Sequence, residues 1–400
     1  MVTNSPLSRS TRSRRRVTAA VATIALGCGV NAAAATTAAA VDTAPDNAAA
    51  AARTIAPAWL GEPVNVALVE GNQVAGAARA SRVTYRSTGL NGSQVVVSGL
   101  LYTPQGTPPP GGWPVIAWAH GTTGVADACA PSLTKDAFGY GAYLSAWLSQ
   151  GYAVAATDYE GLGTPGRHPY IIGDSEGRSV IDMVRAATRV DPSISNRYVA
   201  VGHSQGGQAA LFAGKLDKTY GAGLDYRGTV AIAPGTRWKR LMENWNAFVP
   251  AAQVNPIVLL VLSGLNTARP AAFPYTELLT PVGRSLMDFA ETKGCADSVG
   301  MLDGVTNEQV FQVDTGEANR IEAALNALAE PPIRGYGDPV LLVQGGKDVL
   351  VPADATQQTA AQMNAAGTTV DLKLYETADH MDVLPTSLPA VGAWVAGRMR

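Results

Sequence analysis

The sequence predicts an α/β protein built on a mostly parallel β-sheet with helices on both faces. From about residue 80, short β-rich runs alternate with longer segments of helical periodicity. Several of the short runs are continuously apolar, which is typical of strands that are covered on both faces. With 46% hydrophobic residues, the 400-residue chain has ample apolar material for a large core.

The predicted strands span residues 82–87, 95–102, 115–119, 153–158, 198–201, 229–233, 340–343 and 370–375. The predicted core helices span residues 179–190, 208–216, 355–366 and 388–399. About a hundred residues rich in helix formers interrupt the alternation, with apolar runs at 254–262, 278–289 and 318–328. We interpret residues 235–335 as a helical cap or lid domain, inserted between a first core segment (56–234) and a second one (336–400).

The N-terminus has the pattern of an export signal. Five arginines precede an apolar run that ends near Val30, and small residues follow at positions 32–40. We therefore interpret residues 1–40 as a signal peptide, residues 41–55 as a low-complexity leader, and the protein as secreted. Without those arginines the chain has 25 basic and 32 acidic residues, a formal charge of −7. That sign gives no electrostatic basis for binding nucleic acid or an anionic membrane.

The cysteine count fits an exported protein. Cys28 would leave with the signal peptide, so the mature chain keeps Cys129 and Cys295. Two cysteines in an oxidising compartment most simply form one disulfide, and no cluster of further ligands suggests a metal site.

A Gly-x-Ser-x-Gly motif, typical of a nucleophilic serine on a tight strand-to-helix turn, occurs twice. Ser204 follows the strand at 198–201 and leads into a helix, whereas Ser175 follows a loop with no preceding strand. We therefore predict Ser204 as the nucleophile and interpret Ser175 as a helix cap.

The remaining members of a catalytic triad follow at later strand ends. His380 lies after the last predicted strand and is the expected general base. Asp348 lies in the turn after the strand at 340–343 and would orient that histidine. The order Ser204, Asp348, His380 is the one required by the α/β-hydrolase fold, here with its cap inserted before the strand that bears the acid.

Two backbone amides are predicted to form the oxyanion hole. One is that of Gln205, directly after the nucleophile. The other belongs to the glycine-containing loop at 120–124, where we favour Thr122 and keep Thr123 as the alternative.

With these motifs assembled, residues 80–390 resemble the secretory lipase family, which includes fungal lipase A-type enzymes and actinobacterial relatives. The segments that carry the resemblance are His120–Gly124 with Cys129, 158–170, 179–187, the Ser204 turn, 345–348 and 379–382. The resemblance implies a large helical cap, a disulfide between the oxyanion loop and that cap matching Cys129–Cys295, and lipase or esterase activity without a cofactor. Family members often have a second bridge, for which this chain lacks cysteines.

The leading functional prediction is hydrolysis of acyl esters, including triglycerides, through an acyl-enzyme on Ser204. The expected partner is a small-molecule or lipid ester, with transient contact at a lipid interface as a further possibility and the oligomeric state left open. Acyl transfer to an alcohol, or hydrolysis of a polyester or secondary metabolite, would use the same triad. A non-catalytic envelope or binding protein on a hydrolase scaffold is the alternative from another class.

Overall fold

The structure, a computed structural model, describes residues 56–69 and 74–400, so the predicted signal peptide and leader lie outside the described residues. Its strands are β1 (Pro63–Leu68), β2 (Ala77–Thr88), β3 (Gln94–Pro104), β4 (Trp113–Ala119), β5 (Ala153–Thr157), β6 (Ile194–His203), β7 (Asp225–Ile232), β8 (Val340–Gly345) and β9 (Val370–Tyr375). They form one sheet in the order β1-β2-β3-β5-β4-β6-β7-β8-β9.

The sheet is antiparallel at one side and parallel over the rest. Strands β1, β2, β3 and β5 pair antiparallel in that order, and the pairs from β5 through β4, β6, β7 and β8 to β9 are parallel. Each of the eight predicted strands overlaps an observed one. The ninth, β1, is an edge strand whose residues are mostly exposed, so it lacks the continuous apolar run that marks the others.

The helices are α1 (Asp136–Gly139), α2 (Gly141–Ser149), α3 (Gly173–Val190), α4 (Gln205–Tyr220), α5 (Trp238–Asn244), α6 (Pro256–Ala268), α7 (Tyr275–Leu278), α8 (Pro281–Thr292), α9 (Asn307–Val310), α10 (Thr315–Leu328), α11 (Ala353–Ala365) and α12 (Val383–Arg398). Short 3-10 turns lie at Asp127–Cys129, Pro131–Leu133 and Ala296–Leu302. All four predicted core helices are present as α3, α4, α11 and α12. Helix α2 was not predicted, and α3 and α4 begin earlier than expected because their first turns are rich in glycine.

Both faces of the sheet are buried. Alternate residues of β6 point to opposite sides, so Val199 and Val201 join one hydrophobic cluster while Tyr198 and Ala200 join another. Side chains of α2 and α12 complete the first cluster, and side chains of α3 and α4 complete the second. A two-sided core of this kind accounts for the continuous apolar runs in the strand sequences.

Helices α5 to α10 lie in the insertion between β7 and β8 and share a hydrophobic cluster that is separate from those of the sheet. Its fully buried members include Val258, Leu262, Leu278 and Leu325. Tyr170 and Ile172, from the loop before α3, pack into the same cluster and so join the inserted helices to the core. Across the described residues, no helix combines the length and apolar character needed to cross a bilayer.

Candidate active site

Ser204 occupies the tight turn between β6 and α4. Its backbone adopts φ 58° and ψ −120°, a conformation that costs an L-residue free energy and persists only where the surroundings enforce it. The Ser204 N–H donates to the Ile232 carbonyl at 2.8 Å, and the Ser204 carbonyl accepts from the Gly235 N–H at 3.2 Å. These bonds to the end of β7 hold the turn in place.

Close backbone packing explains the glycines of the motif. A Cβ atom at Gly202 would lie 2.0 Å from the Gly206 carbonyl oxygen, and one at Gly206 would lie 1.9 Å from the Ala119 carbonyl oxygen. No side chain fits at that separation, so the turn forms only with glycine at both positions.

The second Gly-x-Ser-x-Gly motif has a different structure. Ser175 lies inside the first turn of α3, where Ile172 is the N-cap residue, so the interpretation of Ser175 as a helix cap was wrong. Its hydroxyl is buried and donates to the Glu160 carboxylate instead. Ile172 takes the cap position because its extended backbone carbonyl accepts the Ser175 N–H at 3.1 Å.

The structure brings Asp348 and His380 together from the turns after β8 and β9. His380 Nδ1 lies 2.6 Å from Asp348 Oδ2. The other carboxylate oxygen of Asp348, Oδ1, accepts the N–H groups of Leu350 and Val351 at 2.9 and 2.8 Å. Gln344 Nε2 donates to Asp348 Oδ2 at 3.0 Å. The fully buried carboxylate is therefore fixed in orientation, and through the bond to Nδ1 it orients the imidazole.

The neighbouring acid Asp379 has another role. Asp379 Oδ1 accepts the N–H groups of Met381 and Asp382 at 2.9 and 2.8 Å. These backbone bonds lower the pKa of the exposed Asp379 carboxyl and shape the turn that presents His380.

A cavity of about 900 Å³ opens above the turn that holds Ser204. Ser204, His380 and Thr122 contribute to one part of its wall, and the rest comes largely from α6, α8 and the segment around Cys295. Among the described residues that line it there is no Asp, Glu, Lys or Arg. A cavity of this size and character suits an apolar, uncharged group.

The loop after β4 contributes the predicted oxyanion residues. Thr122 lines the cavity, and its hydroxyl lies 2.6 Å from the Tyr170 hydroxyl. Thr123 is buried, and its carbonyl accepts the Ala296 N–H at 2.8 Å. Gln205 begins α4, so its backbone N–H belongs to the unsatisfied first turn of the helix.

The three other histidines are buried and hydrogen-bonded. Burial lowers the pKa of His120, and it lowers the pKa values of His168 and His203 to about 3. His168 Nδ1 donates to the Glu160 carbonyl at 2.8 Å, which leaves Nε2 to accept from the Gln205 side chain at 3.1 Å. These rings are neutral at physiological pH, and of the four histidines only His203 and His380 line the cavity.

Sequence reasoning missed a buried acid behind the nucleophile turn. Glu176 Oε1 accepts from Gln205 Nε2 at 2.7 Å and from the Ile171 N–H at 2.8 Å. Its side chain is inaccessible to solvent, and desolvation raises its pKa to about 8. The only available signal was an acidic residue in the first turn of a helix, where Asp174 is acidic too, and this does not distinguish a buried acid from a solvated one.

A disulfide joins Cys129, after the Thr122 loop, to Cys295 in the inserted segment. This is the pairing expected from the cysteine count and the family resemblance. Backbone contacts reinforce it, because Gly124 forms a β-bridge with Cys295 next to the Thr123–Ala296 bond. The candidate oxyanion loop and the inserted helices are thus covalently connected.

Comparison with solved structures shows the same fold at low sequence identity. Candida antarctica lipase A in its closed state is 18% identical, with a TM-score of 0.71 over 85% of this chain and 82% of that one. A ligand-bound form of the rice cell wall degrading esterase LipA from Xanthomonas oryzae is 19% identical, with a TM-score of 0.71 over 86% of this chain and all of that one. A putative hydrolase from Legionella pneumophila is 19% identical, with a TM-score of 0.69 over 85% of this chain and 98% of that one. The predicted α/β-hydrolase fold class is confirmed.

The sequence itself identifies the family. No curated protein matches the chain, but the model of the family described as secretory lipase matches residues 140–400. That match covers most of the chain, including Ser204, Asp348 and His380. The chain belongs to the secretory lipase family and is an ester hydrolase.

Proposed function

We propose that the protein hydrolyses carboxylic esters through an acyl-enzyme on Ser204, with His380 as general base and Asp348 as its orienting acid. The observation that carries the proposal is the Asp348–His380 hydrogen bond of 2.6 Å beside the strained Ser204 turn, with Ser204 and His380 on one cavity wall. Bonding of Nδ1 to the carboxylate leaves Nε2 of a neutral His380 to accept the serine proton.

The reaction proceeds in two acyl-transfer steps. Ser204 Oγ attacks the ester carbonyl carbon as His380 takes its proton, and the imidazolium returns that proton to the leaving alcohol. Water then attacks the acyl-enzyme with the same base and releases the carboxylic acid. In both steps the Gln205 and Thr122 amides donate to the negative oxygen, and each such donor contributes about 3 kcal/mol.

The substrate class follows from the cavity. Its apolar wall of helices α6 and α8 accepts an uncharged acyl chain, and a lining without ionic groups disfavours charged acyl groups. We propose neutral acyl esters, including triglycerides, as substrates. The five arginines and the apolar run at the N-terminus support secretion of the protein.

The test of the nucleophile compares two serines that carry the same motif. Ser204→Ala is expected to lower kcat on p-nitrophenyl butyrate at least about 10⁴-fold and to abolish fluorophosphonate labelling. Ser175→Ala is the matched control, and it should retain labelling and activity per folded molecule because Ser175 is buried behind the turn. A Ser204→Ala protein that kept most of its rate would refute the assignment.

The test of the substrate class uses a chain-length series. The wild-type protein should hydrolyse p-nitrophenyl esters from butyrate to palmitate and emulsified triglyceride, because the cavity has room for a long chain. A monoester of a dicarboxylic acid should react much more slowly than its uncharged analogue. Equal rates for the charged and uncharged esters would contradict the proposed specificity.

A further inference from the structure

His203, the residue before Ser204, connects two other parts of the site. His203 Nε2 lies 2.8 Å from the backbone carbonyl oxygen of His380. A carbonyl only accepts, so Nε2 carries the proton and Nδ1 of the neutral ring is an acceptor. Burial, with the nearby His380 as a second cause, lowers the pKa of His203 to about 3, so the ring is neutral.

Tyr140 extends the connection to the oxyanion loop. Its hydroxyl lies 3.1 Å from His203 Nδ1 and accepts the Gly121 N–H at 3.2 Å. Since Nδ1 is the acceptor, the Tyr140 O–H donates to it. Three hydrogen bonds therefore run in one direction: the Gly121 N–H donates to the Tyr140 oxygen, the Tyr140 O–H donates to His203 Nδ1, and the His203 Nε2–H donates to the His380 carbonyl.

Packing holds the two side chains at these positions. The Tyr140 ring lies edge-on to Trp118 with centroids 5.2 Å apart, and the His203 ring lies 4.6 Å from the His380 ring. A Cβ atom at Gly121 would lie 2.3 Å from the Tyr140 hydroxyl oxygen, so glycine there lets the hydroxyl approach the loop. Tyr140 and His203 are both nearly inaccessible to solvent.

We propose that Tyr140 and His203 are positioning residues. Together they hold the oxyanion loop and the turn that bears His380 at fixed positions relative to Ser204. This inference rests on the proposed triad. The bond to the His380 carbonyl fixes the backbone of the base, and the bond to the Gly121 N–H fixes the His120–Gly121 peptide, which is one peptide before the one that carries the Thr122 N–H. Small errors in either position lower the rate of the chemical step because they misalign groups that act only in the transition state.

The experiment measures kcat and KM on p-nitrophenyl butyrate for Tyr140→Phe, His203→Phe and the double variant. We expect kcat to fall about fivefold in Tyr140→Phe and about tenfold or more in His203→Phe, with KM changing less than about twofold. Because the Tyr140 hydroxyl and the His203 imidazole belong to one chain of hydrogen bonds, the loss in the double variant should be smaller than the product of the two single losses. Multiplicative losses in the double variant, or a loss expressed mainly in KM, would overturn the proposal.

Amide substitutions of His203 separate its two hydrogen bonds. The longer side chain of His203→Gln can again place an amide N–H at the His380 carbonyl. The shorter side chain of His203→Asn does not reach that carbonyl and can only accept from the Tyr140 hydroxyl. His203→Gln should therefore recover kcat at least threefold relative to His203→Phe, and more than His203→Asn does. Equal kcat in all three variants would show that the hydrogen bond to His380 does not matter.

Tyr143→Phe is the matched control. Tyr143 also lies 5.2 Å from Trp118, in α2, and is equally buried, but its hydroxyl does not take part in these contacts. It should keep kcat within about twofold, and thermal unfolding checks that every variant is folded. If Ser204→Ala and His380→Ala retain activity, the proposed function fails. If they are inactive while Tyr140→Phe and His203→Phe match wild type, only the positioning proposal fails.

Discussion

Removal of the disulfide by Cys129→Ala with Cys295→Ala is expected to lower stability strongly while changing catalysis little. The bridge closes a loop with a sequence separation of 166 residues. The chain-entropy relation gives about 5 kcal/mol of stabilisation for a loop of this length. Typical free energies of unfolding are about 5–15 kcal/mol, so this is a large fraction of the total.

The same value predicts a thermal shift. For the roughly 345 residues after residue 55, the entropy of unfolding is about 0.7 kcal/mol/K, so a loss of 5 kcal/mol lowers Tm by about 7 °C. Activity on p-nitrophenyl butyrate at 25 °C should stay within about threefold of wild type. The reason is that the Ala296 N–H bond to the Thr123 carbonyl, 2.8 Å long, still holds the oxyanion loop against the inserted segment.

The assay is thermal unfolding followed by circular dichroism, with residual activity measured after each temperature step. Treatment with a reducing agent should lower the wild-type Tm by a similar amount. It should not change the Tm of the double variant, which therefore serves as the control for other effects of the reducing agent. A double variant with the same Tm as the wild type would show that the denatured chain gains little conformational entropy when the bridge is lost. A folded variant with less than a hundredth of wild-type activity would show that the bridge itself sets the oxyanion geometry.

Three further outcomes follow from the site. Asp348→Asn should keep the fold but lower kcat about 10³- to 10⁴-fold, measured on the same ester, because an amide disturbs the tautomer of His380. Gly206→Ala should prevent expression of soluble protein, since its Cβ would lie 1.9 Å from the Ala119 carbonyl oxygen. Glu176 has a folded-state pKa of about 8, above its ordinary value, so its contribution to stability is fully present below about pH 4.5 and is lost as the pH rises through 8. Glu176→Gln should remove that dependence, at most about 1.4 kcal/mol per pH unit, and so be less destabilising in urea unfolding at pH 9 than at pH 5.

The sequence predicted the fold where burial left a simple pattern. Strands β5 and β8 are buried along their whole length, and apart from Gln344 their residues are apolar or small. Strand β1 was missed because an exposed edge strand is held by pairing with β2 rather than by an apolar run. Ser175 was misassigned because the residue that caps α3 is Ile172, which has no side-chain acceptor and is set there by the packing of its loop.

The candidate triad could be predicted because each member occupies a turn that follows its own strand, and parallel strands bring such turns to one edge. The contacts of Tyr140, His203 and Glu176 could not be predicted from the sequence. They join groups far apart in sequence, such as His203 and His380, and they depend on the depth at which α2 and α3 pack against the sheet. A histidine inside a serine motif or an acid at a helix start has no periodicity that would reveal its partner.

Burial also determines which charges surround the proposed nucleophile. The pKa values of His168 and His203 fall to about 3 and that of Glu176 rises to about 8, so all three groups are neutral at pH 7. Their hydrogen bonds position Gln205 and the His380 backbone without adding charge next to Ser204. An ionised Glu176 would repel the oxyanion. A protonated His203 would repel the His380 imidazolium, which forms at the same time as the oxyanion in the proposed reaction. Desolvation therefore keeps the polar support of the turn neutral, so that the charge separation expected from the proposed proton transfer to His380 would be stabilised by Asp348 and by the candidate oxyanion amides rather than opposed by its neighbours.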